Sequence, residues 1–465
     1  MTTRVLIPSG ALGLNYDQVA LDRGIAMNPD IIAIDGGSTD SGPAYLGRGV
    51  SKYSRASTKI EWRGLMEARA KAGVPLVIGT SGTCGADDAV DWMLDITREI
   101  AADLRQNLKI AVLRCSQDTA VMSTAFCDGR ITPLPAAPKV SAQDFTSCTN
   151  IVALAGAEQI AAALETGADI IIAGRTTDTA IIAALPIMRG DDAGAAWHGA
   201  KIGECGALCA SNPQSGVVMI EFDNDGFTVI PLADGAHATP HTVSAHMLYE
   251  NSDPFILHEP GGHLDVTKAI YAAIDDTRVR VTGSKWVPSD RYTVKLEGAR
   301  PAGFQCVLMC LLRDAHYVKN AQIWADDIIC KCRSKVTTRL GLAPEEFEIE
   351  LRLMGQNASF GTLETHAAHP HEIGVLAIVT AKSNALAMEI GQFLNPYLLH
   401  HPLTQAEEQP TFAFPFSPAE ISRGQTYEFC LNHVLTLDDP MSAFRLEQIE
   451  IANKPTMATR KSTPS

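Results

Sequence analysis

The sequence predicts an α/β protein, with a mostly parallel sheet carrying helices on both faces in the N-terminal half and an α+β second domain after it. Three observations predict this. Short Ile/Val/Leu runs without polar alternation recur through roughly the first 175 residues, helix-length stretches separate them, and after Ser211 the apolar runs alternate with polar residues. A strand covered on both faces needs no polar positions, whereas an antiparallel strand with one wet face alternates.

In chain order, 4–9 reads as a strand, 16–27 as a helix, 30–35 as a strand and 60–71 as a helix. Then come a strand at 75–79, a helix at 87–104, a strand at 108–114, a helix at 157–166 and a strand at 169–174. In the second part, 216–222, 279–282, 292–296, 347–354 and 373–380 read as strands, 384–395 as a helix, 401–410 as a linker and 427–437 as a last strand. The tail from 453 to 465 is expected to fray. The expected division is 1–210 for the α/β domain with its Gly-rich strand-end loops, 211–400 for the α+β domain, and 401–465 for the linker, final strand and tail.

Composition narrows the function classes. With 465 residues, 46% hydrophobic and 20% charged, the chain builds a large core and is neither disordered, collagen-like nor a coiled coil. Its 38 Lys+Arg against 53 Asp+Glu give a net charge of −15, which repels a phosphate backbone and excludes nucleic acid as a natural partner. An anionic substrate would then need a local pocket of donors. Val5-Leu6-Ile7 is too short for a secretory core, and no apolar window reaches bilayer length, so a cytoplasmic protein without a membrane partner is expected. The eleven cysteines contain no C-x-x-C and read as small buried thiols in a reducing compartment. A homodimer or higher homo-oligomer is the base expectation.

Four glycine-rich turns follow predicted strands, at 9–13, 35–42, 79–85 and 174–178. The carboxyl ends of parallel strands border the ligand crevice in open α/β sheets, so the four turns are expected to converge on one site. They nominate Ser9, Gly10, Asp35, Gly37, Ser38, Ser81, Gly82, Thr83, Cys84, Arg175, Thr176 and Thr177 as substrate-binding residues. None is a named nucleotide fingerprint: 10–13 lacks the G-x-G-x-x-G spacing, and 79–85 lacks the Lys of a P-loop. Arg175 is the expected fork for a carboxylate, beside Asp178. Farther on, Glu204 and Cys205 set an acid beside a thiol, as base and as nucleophile or donor. Asp178, Glu204 and Cys205 are the expected catalytic residues.

The histidines fall into groups. His366, His369 and His371 have imidazoles that suit zinc, but Pro370 breaks their face and no H-E-x-x-H occurs, so no metal is assigned. His241 or His246 is a candidate acid/base, because histidine titrates near neutral pH. No cofactor is named by any motif.

The run Gly174-Arg175-Thr176-Thr177-Asp178-Thr179-Ala180, then Trp197-His198, Gly203-Glu204-Cys205-Gly206-Ala207, His246-Met247-Leu248-Tyr249-Glu250 and Asp253-Pro254, stands in the order seen in the acyclic-terpene-utilisation (AtuA-like) family. The resemblance covers about residues 4–400, and 427–440 is similar to the ending of one branch. It implies a cytoplasmic catabolic protein acting near branched acyl or carboxylate intermediates, sometimes as coenzyme A thioesters, and it carries no settled catalytic residue. The turn Asp35-Gly36-Gly37-Ser38 departs from the aspartate-tyrosine-leucine pattern of terpene-linked members, so a terpene substrate is not carried over.

The expected function is a lyase (hydratase or dehydratase) or an isomerase acting on a small carboxylate or acyl metabolite, CoA-linked ones included. Arg175 and the amides of Gly82 to Gly85 would hold the carboxylate while Asp178 or Glu204 moves a proton. Two alternatives stay open: a hydrolase or acyl-transfer enzyme using Cys84 or Cys205, and a non-catalytic metabolite-binding subunit.

Overall fold

The computed structural model describes residues 2–366 and 369–452; the expected fraying of 453–465 lies outside the described residues. The chain divides into two compact units, Met1–Arg300 with Phe429–Ser465, and Pro301–Glu428.

The first unit is built on a ten-stranded sheet. From one edge its strands are Ile270–Ala273, Val279–Thr282, Gly226–Pro231, Val218–Asp223, Thr3–Ile7, Ile31–Asp35, Leu76–Gly79, Ile170–Ala173, Leu108–Arg114 and Arg445–Ile451. The five from Thr3–Ile7 to Leu108–Arg114 are mutually parallel, and the flanking strands pair antiparallel. Alternate residues of the parallel strands enter different cores. Leu6, Ile32, Ile34, Ile78, Ile110 and Ile172 pack on one face with Leu21, Trp62 and Met93 from the helices Gln18–Ala26, Arg55–Ala72 and Asp87–Leu104. Val5, Ile31, Val77, Ala111 and Ile171 pack on the other with the helices Ala157–Glu165, Ala180–Met188 and Ala193–Gly203. Each fully buried Ile, Leu or Val side chain stabilises by about 1.5–3 kcal/mol, which is why these strands carry no polar alternation.

The texture change after Ser211 marks where pairing turns antiparallel. Val218 to Phe222 pair residue for residue with Thr3–Ile7, so the later strands widen the same sheet and the unit runs on to Arg300. A small antiparallel sheet of Ile256–Glu259, Gly262–Asp265 and Lys285–Pro288 belongs to this unit as well.

In the second unit, Phe304–Leu312 pairs antiparallel with Ile373–Ala381, which pairs with Phe347–Met354. Every second residue of Ile373–Ala381 is buried, and this face meets Trp324 and Ile328 of Ala321–Leu340 and Leu394 of Asn384–His400. Two expectations are corrected. The strand expected at 292–296 is the start of Tyr292–Leu312, because its first half pairs with His433–Leu437 and its second with Ile373–Ala381. The strand expected at 427–437 is two strands, Ile421–Phe429 and His433–Leu437, with Cys430 and Leu431 buried between them. No helix among the described residues is long and apolar enough to cross a membrane.

Candidate functional site

Because the central strands run parallel, their carboxyl ends emerge along one edge, and the loops that follow meet there. Gly36 donates to the carbonyl of Gly79, and Thr80 to that of Gly174, so neighbouring loops are bonded backbone to backbone. A Cβ on Gly36 would lie 2.5 Å from the Thr80 carbonyl oxygen, a spacing only glycine allows. Thr80 and Thr83 hold left-handed backbone (φ 55° and 68°) while buried. Strain of this kind persists where the surroundings over-determine it, as at ligand sites.

These loops surround a hollow of about 460 Å³ in the first unit. Ser9, Gly10, Asp35, Gly37, Ser38, Thr83, Asp178 and Cys205 line it, so eight of the nominated residues come together. The walls also hold Asp40, Ser41, Lys52, Tyr53, Tyr249 and Glu250, which spacing did not nominate. Four carboxyl residues thus face a single basic one, and Lys52 already donates to Ser41 Oγ at 2.6 Å. The hollow is acidic and rich in hydroxyls.

The remaining nominees stand behind the wall. Arg175 is not a free fork. Its Nε and Nη2 donate to Oε2 and Oε1 of Glu297, each at 3.1 Å, and its Nη1 to Thr80 Oγ1 at 3.1 Å. The guanidinium is therefore spent on the protein's own carboxylate, which Thr39 Oγ1 also approaches at 3.1 Å. Ser81, Gly82 and Thr176 are buried, and Thr177 bonds to Thr179. Cys84 packs among Leu46, Ala86, Ala89, Val152 and Ala299.

Glu204 follows the helix Ala193–Gly203, whose start is capped by Asp192 accepting from the Ala195 amide at 2.7 Å. It is buried and accepts from Lys201, one helical turn back. His246, at the end of the helix Pro240–Ala245, is 5% exposed and its Nε2 has no hydrogen-bond partner. One carboxylate atom of Glu204, Cys205 Sγ and a ring nitrogen of His246 lie within 4.8 Å of one another. Among the described residues, His366, His369 and His371 form no such group.

Enclosure shifts the acids of this region. Burial pushes Asp35 well above its usual value, with the Asp178 charge adding and the Gly37 N–H opposing. Desolvation raises Asp178 against the pull of Arg175 and Lys201. Burial raises Glu204 to about 8 against Lys201, and Glu259 to about 7 against hydroxyls of Thr179 and Thr177. Asp35 Oδ1 and Asp178 Oδ1 are both covered and accept no hydrogen bond; the Asp178 atom is 3.8 Å from Arg175 Nη1. Burial also pushes up the thiols of Cys84 and Cys205, which disfavours the nucleophilic thiolate. His198 is a satisfied core histidine, 2.7 Å from Ser284 Oγ and 3.1 Å from the Tyr271 hydroxyl.

Sequence reasoning missed Glu297, Lys201 and Glu259. Only Lys201 carried a signal, being one helical turn before Glu204.

Residues 65–414 match the family described as acyclic terpene utilisation family protein AtuA. No curated protein and no solved structure matches the chain.

Proposed function

The chain belongs to the acyclic terpene utilisation (AtuA) family, and from that premise we propose that it is a catabolic enzyme, a hydratase or dehydratase, or an isomerase, working by proton transfer on a hydroxylated or unsaturated acyl metabolite. The observation that carries this reading is the pair Asp35 and Asp178. Both line one hollow, both are raised by enclosure, and each keeps a covered oxygen that accepts no hydrogen bond. Two carboxyls with raised values in one hollow supply what such a reaction needs, one group holding a proton while the other accepts one. Moving a proton at carbon and delivering or removing one at a hydroxyl is the common core of hydration, dehydration and double-bond migration.

The charge of the hollow refines the substrate. Arg175 is engaged by Glu297, and a free carboxylate would meet Asp35, Asp40, Asp178 and Glu250 with Lys52 as the basic wall residue. An uncharged acyl carbonyl, as in a thioester, suits these walls better than the free acid. Ser9, Ser38, Ser41, Tyr53, Thr83 and Tyr249 are the wall residues with hydroxyls to meet a substrate hydroxyl or carbonyl.

The test incubates the purified chain with branched hydroxyacyl and enoyl thioesters, and with the matching free acids, in deuterated water. Mass spectrometry then follows gain or loss of water and deuterium at carbon. Turnover is expected with thioesters, and Asp35→Asn or Asp178→Asn should lower it roughly 10²- to 10⁴-fold. No change in mass in any acyl compound would overturn the reading.

A further inference from the structure

Beside the acid pair stands a second cluster with a different chemistry. Glu204 and Cys205 leave the C-terminal end of Ala193–Gly203, and His246 arrives from the end of Pro240–Ala245. Their ligand atoms share one 4.8 Å neighbourhood. We propose that Glu204, Cys205 and His246 bind a first-row divalent transition-metal ion next to the hollow, zinc being the best fit.

A close group of three such residues is not by itself a site; the ring of His246 supplies the independent observation. The residue is 5% exposed, and its Nε2 is covered and unbonded. A buried imidazole nitrogen without a partner is costly unless something absent from the chain itself satisfies it. The ring plane is held by Tyr249, stacked at 5.6 Å and 19°, as a metal-binding histidine needs.

The surroundings fit an ion. Lys201 donates to Glu204 Oε1 and so holds the carboxylate in place, the role that outer hydrogen bonds play around ligating carboxylates. The Asp178 and Glu259 carboxyls act electrostatically on Glu204, and Asp178 and Glu250 on Cys205, opposing the Lys201 ammonium that acts on all three ligands. One thiolate, one imidazole and one carboxylate form the three-ligand set of a catalytic zinc site, with the fourth position left for water or substrate. Cys205 borders the hollow, so an ion held here stands next to where a substrate would lie. There the ion would polarise a carbonyl or hydroxyl oxygen. Binding deprotonates the Cys205 thiol and releases that proton to solvent.

Cobalt(II) is the probe, because a thiolate bound to it absorbs in the near ultraviolet whether or not the enzyme turns over. The full chain is used with its exposed thiols removed by Cys127→Ser and Cys330→Ser, stripped by chelator and titrated. The expected result is a thiolate-to-cobalt band that saturates at one equivalent and is displaced by zinc. Cys205→Ser should abolish the band, and His246→Asn should weaken binding roughly tenfold or more. A folded chain with no band overturns the proposal, and so does a band that survives Cys205→Ser. Should a single variant fail to fold, the titration of the parent chain still decides. The assay is separate from the acid-pair reading: absence of a band leaves the water-transfer experiment intact, and absence of turnover leaves the cobalt spectrum intact.

Discussion

Arg175 and Glu297 form a two-bond pair, Nε to Oε2 and Nη2 to Oε1, 122 positions apart in the chain and both less than a tenth exposed. Glu297 sits in Tyr292–Leu312 and Arg175 just beyond Ile170–Ala173, so the pair fastens the loop before Asp178 to another strand of the same unit. Removing one partner leaves a buried charge uncompensated. Glu297→Ala should cost about 3–5 kcal/mol of unfolding free energy, read by urea denaturation. Arg175→Met with Glu297→Leu should cost less than Glu297→Ala alone, and a cost that is not smaller refutes the assignment.

The pair also carries a pH signature. Burial pushes Glu297 up, but Arg175 outweighs it and the carboxyl lies below its usual value. Its contribution is present above the unfolded value of 4.5 and is lost as pH falls through the folded one. Acid unfolding of the wild-type chain should therefore contain a component absent from Glu297→Gln, seen by circular dichroism during acid titration.

Glu259 runs the other way. Its carboxyl is raised from 4.5 to about 7. The folded chain holds this proton more tightly than the unfolded one, so its contribution is full below 4.5 and declines as pH rises through about 7. Glu259→Gln should flatten stability across that interval. An unchanged pH profile in urea melts would contradict the shift.

Gly85→Ala tests the loop junction. Gly85 has φ +65°, and a Cβ there would run into the backbone nitrogen and Cα of Arg175. Because the obstacle is backbone, relief requires moving the Arg175 segment. The expected loss is about 1–3 kcal/mol or more, with a lower melting temperature in calorimetry.

Thiol labelling separates the cysteines. Cys127 and Cys330 are exposed, whereas Cys84 is fully buried and Cys205 is half-buried with its thiol pushed up. Iodoacetamide followed by peptide mapping should find Cys127 and Cys330 modified first. Rapid labelling of Cys205 would restore the acyl-transfer alternative.

The parallel half of the fold was legible because its strands are buried on both faces. Asp87–Leu104 and Leu108–Arg114 fall where the residue pattern put them. Helices such as Thr119–Cys127 and Ala180–Met188 were not assigned: the first is short, and the second is apolar all round, with a proline inside. In the site, the strand-end rule located Ser9, Asp35 and Asp178, since it needs only local order. It could not say which way Arg175 pointed, because Glu297 lies on a distant strand. Tyr249 and Glu250 escaped the spacing argument because they enter the wall from a segment that follows no parallel strand.

The last described strand, Arg445–Ile451, pairs along the whole of Leu108–Arg114. During synthesis that inner strand emerges more than three hundred residues before its neighbour, and an unpaired strand edge is a template for wrong association. The nascent polypeptide therefore carries an open seam through most of translation, which makes shielding by a chaperone, or the pace of the ribosome, a determinant of yield.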